Sequence, residues 1–247
     1  GDHSLEYPDV AAMADVYGKG KVGVVHFDSH YDAASDRVHL LDHGQPASVY
    51  LSASCGGRTA RPSEVWGAGS VDSRAGTASI PPGGPASGDP AYLPSQVDDA
   101  CAGEPVWQSD VTVDDLMRAL RTAGITGDLL RGLRIVSRTP SGRVRRLELD
   151  GFTPRELSGE QFSTIVGRTL GWNILRSPLF DIQQTARGFR FSGHGAGHGV
   201  GLCVIGSVRR AARGDSARSI LATYFLGLTV GPVVSGVAAA RSSTRNW

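Results

Sequence analysis

Three potential metal ligands lie at alternate positions in residues 28–32: Asp28, His30 and Asp32. The run KVGVVHFD (21–28) precedes them, and its β-branched residues are typical of a strand buried on both faces of a sheet. Because ligands of open α/β sheets gather at the carboxyl ends of strands, we expect these side chains to converge on one metal or a metal pair. Carboxylate and imidazole suit Mn²⁺, Fe²⁺ or Zn²⁺, and two such ions would activate a bridging water as nucleophile.

The N-terminal part of the chain resembles the ureohydrolase family, which includes arginase and agmatinase. The resemblance lies in the segments GDHS (1–4) and VVHFDSHYD (24–32) and in His43-Gly44 after them. The resemblance covers about residues 1–46 and implies a pair of Mn²⁺ ions, with His43 beside a guanidinium substrate. The implied metal ligands are His3, Asp28, His30 and Asp32. The family's later S-x-D-x-D-x-x-D-P segment, which completes the metal pair, has no counterpart in residues 47–247. We therefore expect an incomplete metal site.

Glycine occupies every second position from 193 to 201, in the sequence GHGAGHGVG. In an extended backbone alternate residues share a face, so one face would be bare and the other would carry both histidines. A bare face could admit a flat polymer, or the segment could be a packed strand whose histidines bind backbone groups. The glycines disfavour a helix that would bring the two histidines together on a metal. The candidate substrate-binding residues are Gly193, His194, Gly195, Gly197, His198 and Gly199.

Several blocks, in order, resemble the SpoIID/LytB domain family over about residues 47–232. The blocks include SASCGGRT (52–59), Val65-Trp66-Gly67, SRTPSGRVRRLEL (137–149), ELSGEQF (156–162), LRSPLF (175–180), FSGHGAGHGVGLC (191–203) and SILATYFLGLTV (219–230). The resemblance implies peptidoglycan remodelling outside the cytoplasm: some members cleave glycan strands as lytic transglycosylases, and others are amidase enhancers. The implied partners are glycan strands and a wall amidase, and no cofactor is implied for this part of the chain.

The catalytic glutamate of those transglycosylases lies in an N-terminal G-V-V-x-x-E block that this chain lacks. One carboxyl of raised pKa would serve there as both acid and base. The carboxylates that could replace it are Glu64, Asp98, Asp99, Glu156 and Glu160. Glu160 is more simply explained as a first-turn helix charge, and Asp98 and Asp99 by hydrogen bonds within a loop. We predict a peptidoglycan-binding or remodelling domain that is catalytically incomplete; the alternatives are a truncated Mn²⁺-dependent ureohydrolase and an inactive fusion.

The chain has three cysteines, and an odd number does not indicate a disulfide scaffold. Some SpoIID/LytB members place a cysteine pair at the positions of Cys55 and Cys101. The resemblance therefore implies a disulfide between these two residues if the domain is exported. Cys203 lies in an apolar stretch and is expected to be a buried small hydrophobe.

The composition and charge of the chain limit the classes of function that are expected. A net charge of +1 gives no argument for nucleic acid or an anionic membrane as a partner. No apolar run of about 18 residues is present, so no membrane-spanning helix is expected. The first ten residues lack the pattern of a signal peptide, so the sequence leaves the compartment open.

The patterns predict an α+β fold: a mixed sheet with β-hairpins and about three helices, preceded by an α/β-type helix–strand appendage. The expected helices begin after Thr112, Ser158 and Ser216, and the hairpins span 133–149 and 179–192. The appendage consists of a helix over 7–17 and the strand at 21–28. The predicted domains are a ureohydrolase-like fragment (1–46), a SpoIID/LytB-like domain (47–235) and a flexible tail (236–247).

Overall fold

The computed structural model describes residues 38–67 and 88–232, all within one unit of the chain. The predicted N-terminal helix and strand and the predicted C-terminal tail lie outside these residues. Those expectations remain predictions.

The described chain contains strands, mostly in consecutive groups, with helices between the groups. The strands are β1 (Val38–Asp42), β2 (Gln45–Pro46), β3 (Leu51–Ser52), β4 (Trp107–Thr112), β5 (Thr126–Arg138), β6 (Val144–Thr153), β7 (Glu156–Leu157), β8 (Phe180–Gln184), β9 (Gly188–Gly193), β10 (Leu202–Cys203) and β11 (Thr229–Pro232). The helices are α1 (Pro62–Trp66), α2 (Val113–Thr122), α3 (Gly159–Leu170), α4 (Val204–Ala212) and α5 (Ala217–Tyr224).

The strands of the described ranges form four small sheets, ordered β11-β1-β2, β10-β3, β4-β9-β8 and β5-β6-β7. All pairings are antiparallel except that of β10 with β3. The two predicted hairpins are confirmed as β5–β6 and β8–β9. The α+β fold class is therefore confirmed, with several small sheets in place of one mixed sheet.

Three helices begin where the sequence predicts them, directly after Thr112, Ser158 and Ser216. The side chains of Thr112, Ser158 and Ser216 accept hydrogen bonds from the backbone N–H three residues further on, which satisfies an otherwise unpaired donor of the first turn. Gln161 completes a capping box with Ser158, as the sequence predicts. Helix α4 was not predicted, because its only cap is the sulfur of Cys203.

The main hydrophobic core lies between α2, α3, the β5–β6 hairpin and the β4–β9–β8 sheet. Phe162, Phe180 and Phe191 are fully buried at its centre, with ring centroids 5.7 to 6.3 Å apart. Burial of side chains of this size contributes roughly 2 kcal/mol or more each, so this cluster dominates the stability of the sheet–helix layers. The core thereby fixes the end of β9, where the glycine-rich segment begins.

Two short strands near residue 40 join the same unit as the rest of the described chain. β1 pairs with β11 from Val38–Pro232 to Leu41–Thr229, and β2 pairs with β1. These strands belong to the segment assigned by sequence to the N-terminal fragment, although the predicted boundary at 46 itself stays a prediction. No helix in the described ranges is long and apolar enough to cross a membrane.

Candidate functional site

The glycine-rich segment leaves β9 at Gly193 and does not continue as an extended strand. The backbone φ angles of Gly195, Gly197, Gly199 and Gly201 are +73°, +89°, +80° and +73°. Side chains therefore do not alternate between two faces, and the predicted bare strip is wrong. The reason is that glycine readily adopts the left-handed conformation, so alternate glycines coil the chain.

The glycines of this segment bring it against the chain's own residues 50–56. Ser54 and Ala196 exchange backbone hydrogen bonds of 3.0 and 2.9 Å, and the N–H of Leu202 donates to the carbonyl of Tyr50 at 2.9 Å. A Cβ at Gly195 would lie 2.8 Å from the Ser54 carbonyl oxygen. The glycines therefore allow another segment of the same chain to lie close to the backbone. This agrees with the alternative in which the glycine-rich segment is packed inside the domain.

His198 is half-buried and is held in one orientation. Its Nδ1 accepts hydrogen bonds from the Val200 N–H at 3.0 Å and from the Ser52 hydroxyl at 3.3 Å. Nδ1 is thus unprotonated, and Nε2 carries the proton. Burial, with the nearby charge of Arg143, lowers the pKa of His198 to about 4, so the ring is neutral at physiological pH.

Two further aromatic rings pack against His198. The ring centroid of Trp66 lies 5.1 Å from that of His198 and 5.1 Å from that of Tyr50, and the Tyr50 and His198 centroids are 6.3 Å apart. All three side chains are half-buried. We call Tyr50, Trp66 and His198 the aromatic platform. His194 contributes no ring to it: its side chain is exposed, and its N–H donates to Leu179.

Helix α1 positions Trp66 through its glutamate. Glu64 accepts hydrogen bonds from the Ser141 N–H at 2.8 Å and the Arg61 N–H at 3.2 Å. Although burial opposes it, the hydrogen bonds, chiefly from Ser141, lower the pKa of Glu64, so this carboxylate is ionised at neutral pH. Glu64 therefore ties α1 to the turn between β5 and β6 and is unsuited to act as a general acid.

Arg143 is a fully buried cation beneath the glycine-rich segment that sequence reasoning missed. It is 1% exposed, and its guanidinium donates to the carbonyls of Cys55 at 3.0 Å and Arg58 at 3.2 Å. A Cβ at Gly199 would collide with this guanidinium. An arginine beside a turn is ordinarily expected to be exposed. The one sequence signal for Arg143 is its position in the block 137–149, which resembles the SpoIID/LytB family.

The remaining candidate carboxylates differ in their surroundings. Burial raises the pKa of Glu160, against the opposing charge of Arg143, and Glu160 lies in the first turn of α3 as predicted. Asp98 is 1% exposed and accepts hydrogen bonds from Tyr224 at 2.7 Å and Arg210 at 3.3 Å. Asp99 and Glu156 are exposed on the surface.

Cys55 and Cys101 are buried and carry free thiols in this structure, and the disulfide implied for an exported domain stays a prediction. Cys203 is buried as expected, but it is not simply a small hydrophobe. The sulfur atoms of all three cysteines and a carboxylate oxygen of Asp98 lie within 4.8 Å of one another. Hydrogen bonds from the thiols of Cys203 and Cys55 lower the pKa of Cys101. The three sulfurs therefore form one cluster. The sequence analysis did not predict it, because it paired only Cys55 with Cys101 and treated Cys203 separately.

The metal ligands predicted by the N-terminal resemblance, His3, Asp28, His30 and Asp32, lie outside the described residues. His43 is described, in the turn between β1 and β2, where its side chain is 96% exposed and pairs with Asp42 at 2.8 Å. Its role beside a guanidinium substrate stays a prediction.

Comparisons with known proteins match two separate parts of the chain to two families. Residues 1–74 match the Arginase family, and residues 104–201 match a domain of unknown function, DUF8618. An uncharacterized protein of Brachyspira hyodysenteriae is 24% identical over 188 residues, which cover 76% of this chain and 44% of that protein. The amidase enhancer of Bacillus subtilis is 30% identical over 82 residues, 33% of this chain and 11% of that protein.

The chain therefore spans less than half the length of either curated relative. The Arginase-family match agrees with the resemblance predicted for the N-terminal segment. The similarity to an amidase enhancer covers a third of this chain and agrees in part with the predicted resemblance to amidase enhancers.

Proposed function

We propose that the described domain binds the glycan strands of peptidoglycan through the aromatic platform and is not itself a complete catalyst. The observation that carries this proposal is the contact between three half-buried rings drawn from distant parts of the sequence. Sugar rings present C–H groups on their faces, which pack against aromatic faces, while their hydroxyls need nearby polar partners.

The polar partner in this proposal is His198. Its neutral ring presents the Nε2–H as a donor next to Trp66, because Nδ1 is already occupied. Trp66 and His198 also lie in two of the blocks that resemble the SpoIID/LytB family. The similarity to an amidase enhancer supports the same wall-related class.

A matched pair of tryptophan variants tests the proposal. Trp66→Ala should reduce co-sedimentation with purified peptidoglycan by about tenfold or more, because a central aromatic anchor carries much of the binding energy. Trp172→Ala is the control, since Trp172 is 63% exposed and its ring lies against Gly167 of α3. Equal loss of binding in both variants, or no loss in either, would show that the platform is not the binding surface.

The expected absence of catalysis is tested separately. We expect neither anhydro-ended fragments from glycan strands stripped of stem peptides nor urea from agmatine with Mn²⁺. Fragments with anhydro ends would contradict the proposal and would make Glu160→Gln the next variant, because burial raises the pKa of Glu160 against the opposing charge of Arg143. Urea would instead favour the ureohydrolase alternative, which is supported by the match of residues 1–74 to the Arginase family.

A further inference from the structure

The three cysteines of the chain and one aspartate meet in the interior of the domain. Cys55, Cys101, Cys203 and Asp98 are each 0 to 1% exposed, and one ligand atom from each lies within 4.8 Å of all the others. These residues come from separate parts of the sequence, so only the tertiary fold assembles them.

The spacing and chemistry of the four groups suit a tetrahedral thiolate-rich metal site. With Zn–S bonds of about 2.3 Å, neighbouring sulfurs of a tetrahedral site are roughly 3.8 Å apart, so a small contraction of this cluster would accommodate the ion. Sulfur ligands select zinc over magnesium, calcium or manganese. Four protein ligands fill the coordination sphere, which is the pattern of a structural site.

The surroundings are arranged as outer partners of a thiolate. The Cys55 N–H points at the Cys203 sulfur at 3.2 Å, and the Gly206 N–H points at it at 3.4 Å. Cys203 is also the N-cap of α4, where the helix dipole favours a negative sulfur. Outer hydrogen bonds of this kind orient metal ligands and tune their affinity.

Two buried or half-buried guanidiniums offset the negative charge that such a site would carry. Three thiolates and one carboxylate around a divalent ion leave a charge of −2. Arg210 pairs with Asp98 at 3.3 Å, and Arg143 donates to the carbonyl of Cys55 at 3.0 Å. Buried charges need such compensation.

We propose that Cys55, Cys101, Cys203 and Asp98 bind one structural zinc ion. The ion links the loop that precedes α1, the loop at 98–101 and the start of α4. It thereby fixes the residues on which the glycine-rich segment packs. This proposal does not depend on glycan binding.

Cobalt substitution tests the site in the full-length protein. Because these are all the cysteines of the chain, a sulfur-to-cobalt charge-transfer absorption reports this cluster and not the predicted N-terminal ligands. Reduced, metal-stripped protein should show this band, saturating at one cobalt per chain and disappearing when zinc is added. Zinc-loaded protein should melt at least about 5 °C above the stripped protein.

Variants separate the ligands from their neighbours. Cys101→Ser and Asp98→Asn should each weaken cobalt binding by more than about tenfold. Tyr224→Phe, which removes a hydrogen bond to Asp98 but no ligand, and His30→Ala, which removes a predicted N-terminal ligand, should both keep the band.

Two results would overturn the proposal without relying on any variant. One is the absence of the band at saturating cobalt in wild-type protein whose three thiols all react with a thiol reagent after unfolding. The other is protein purified without reductant that contains no zinc and is two hydrogens lighter than its reduced form, as a Cys55–Cys101 disulfide requires.

Discussion

The side chain of His198 packs against another aromatic ring and also lies near a buried charge. Its Nδ1 receives a backbone N–H from Val200, its ring contacts Trp66, and Arg143 lies close enough to disfavour its protonation. The ring is thus held neutral and oriented, which is what the proposed donor role requires.

The pH dependence of stability tests this state of His198. Its pKa falls from 6.5 to about 4 on folding, so the unfolded chain binds more protons between those pH values. The free energy of unfolding should therefore decrease as the pH falls through this window, by up to about 1.4 kcal/mol per pH unit. His198→Asn, whose amide oxygen can still accept the Val200 N–H, should lose this part of the slope.

Chemical denaturation of both proteins across the window gives the measurement. The raised pKa of Glu160 contributes a slope of opposite sign, but it does so in both proteins and cancels in the comparison. Identical slopes for wild type and His198→Asn would mean that His198 titrates normally in the folded chain.

At the scale of elements, the glycine-rich segment is a coiled connection between β9 and β10 that packs on Arg143 and on residues 50–56. Its glycines have two separate roles. They adopt left-handed backbone conformations, and their lack of a side chain lets neighbouring atoms lie close to the backbone. Those roles can be distinguished, because other glycines of the domain have the same φ with open space around them.

A pair of alanine substitutions separates the two roles. Gly199 (φ +80°) would place a Cβ against the Arg143 guanidinium, whereas Gly103 (φ +78°) has no atom within 4 Å of its added Cβ. Gly103→Ala should cost about 1 kcal/mol of unfolding free energy, and Gly199→Ala about 3 kcal/mol or more. Urea denaturation measures both. Similar costs would show that the Arg143 contact imposes no constraint beyond the backbone.

At the scale of the whole molecule, the strand pairing of β1 with β11 brings residues near 40 and near 230 into one sheet. Leu41 is 8% exposed there, so the pairing buries an apolar side chain as well as backbone groups. The domain that surrounds the aromatic platform thus includes strands from both sides of the predicted boundary.

Two truncated chains test where this unit begins. A chain starting at residue 36 keeps β1 and β2, and a chain starting at 47 removes both. Loss of a paired strand and a buried leucine should lower the free energy of unfolding of the shorter chain by about 2 kcal/mol or more relative to the longer one. Thermal melts of the two chains compare them directly, and indistinguishable melts would place the boundary after β2.

The local elements follow from the sequence because their signals are local. Thr112, Ser158 and Ser216 each satisfy a donor a few residues away, and the alternating strands around the 139–142 turn pair with their neighbours. These contacts need no distant partner, so spacing along the chain predicts them.

Tertiary structure decided the candidate sites, because their parts are far apart in sequence. The sequence by itself determined the α+β class, the capped helices, the hairpins and the resemblances of the two parts of the chain. It could not determine that Cys203 joins Cys55 and Cys101, that Arg143 lies buried below Gly199, or that Tyr50 and Trp66 meet His198. Those contacts depend on how the packed layers bring separate segments to one point, and no local pattern of residues encodes that distance.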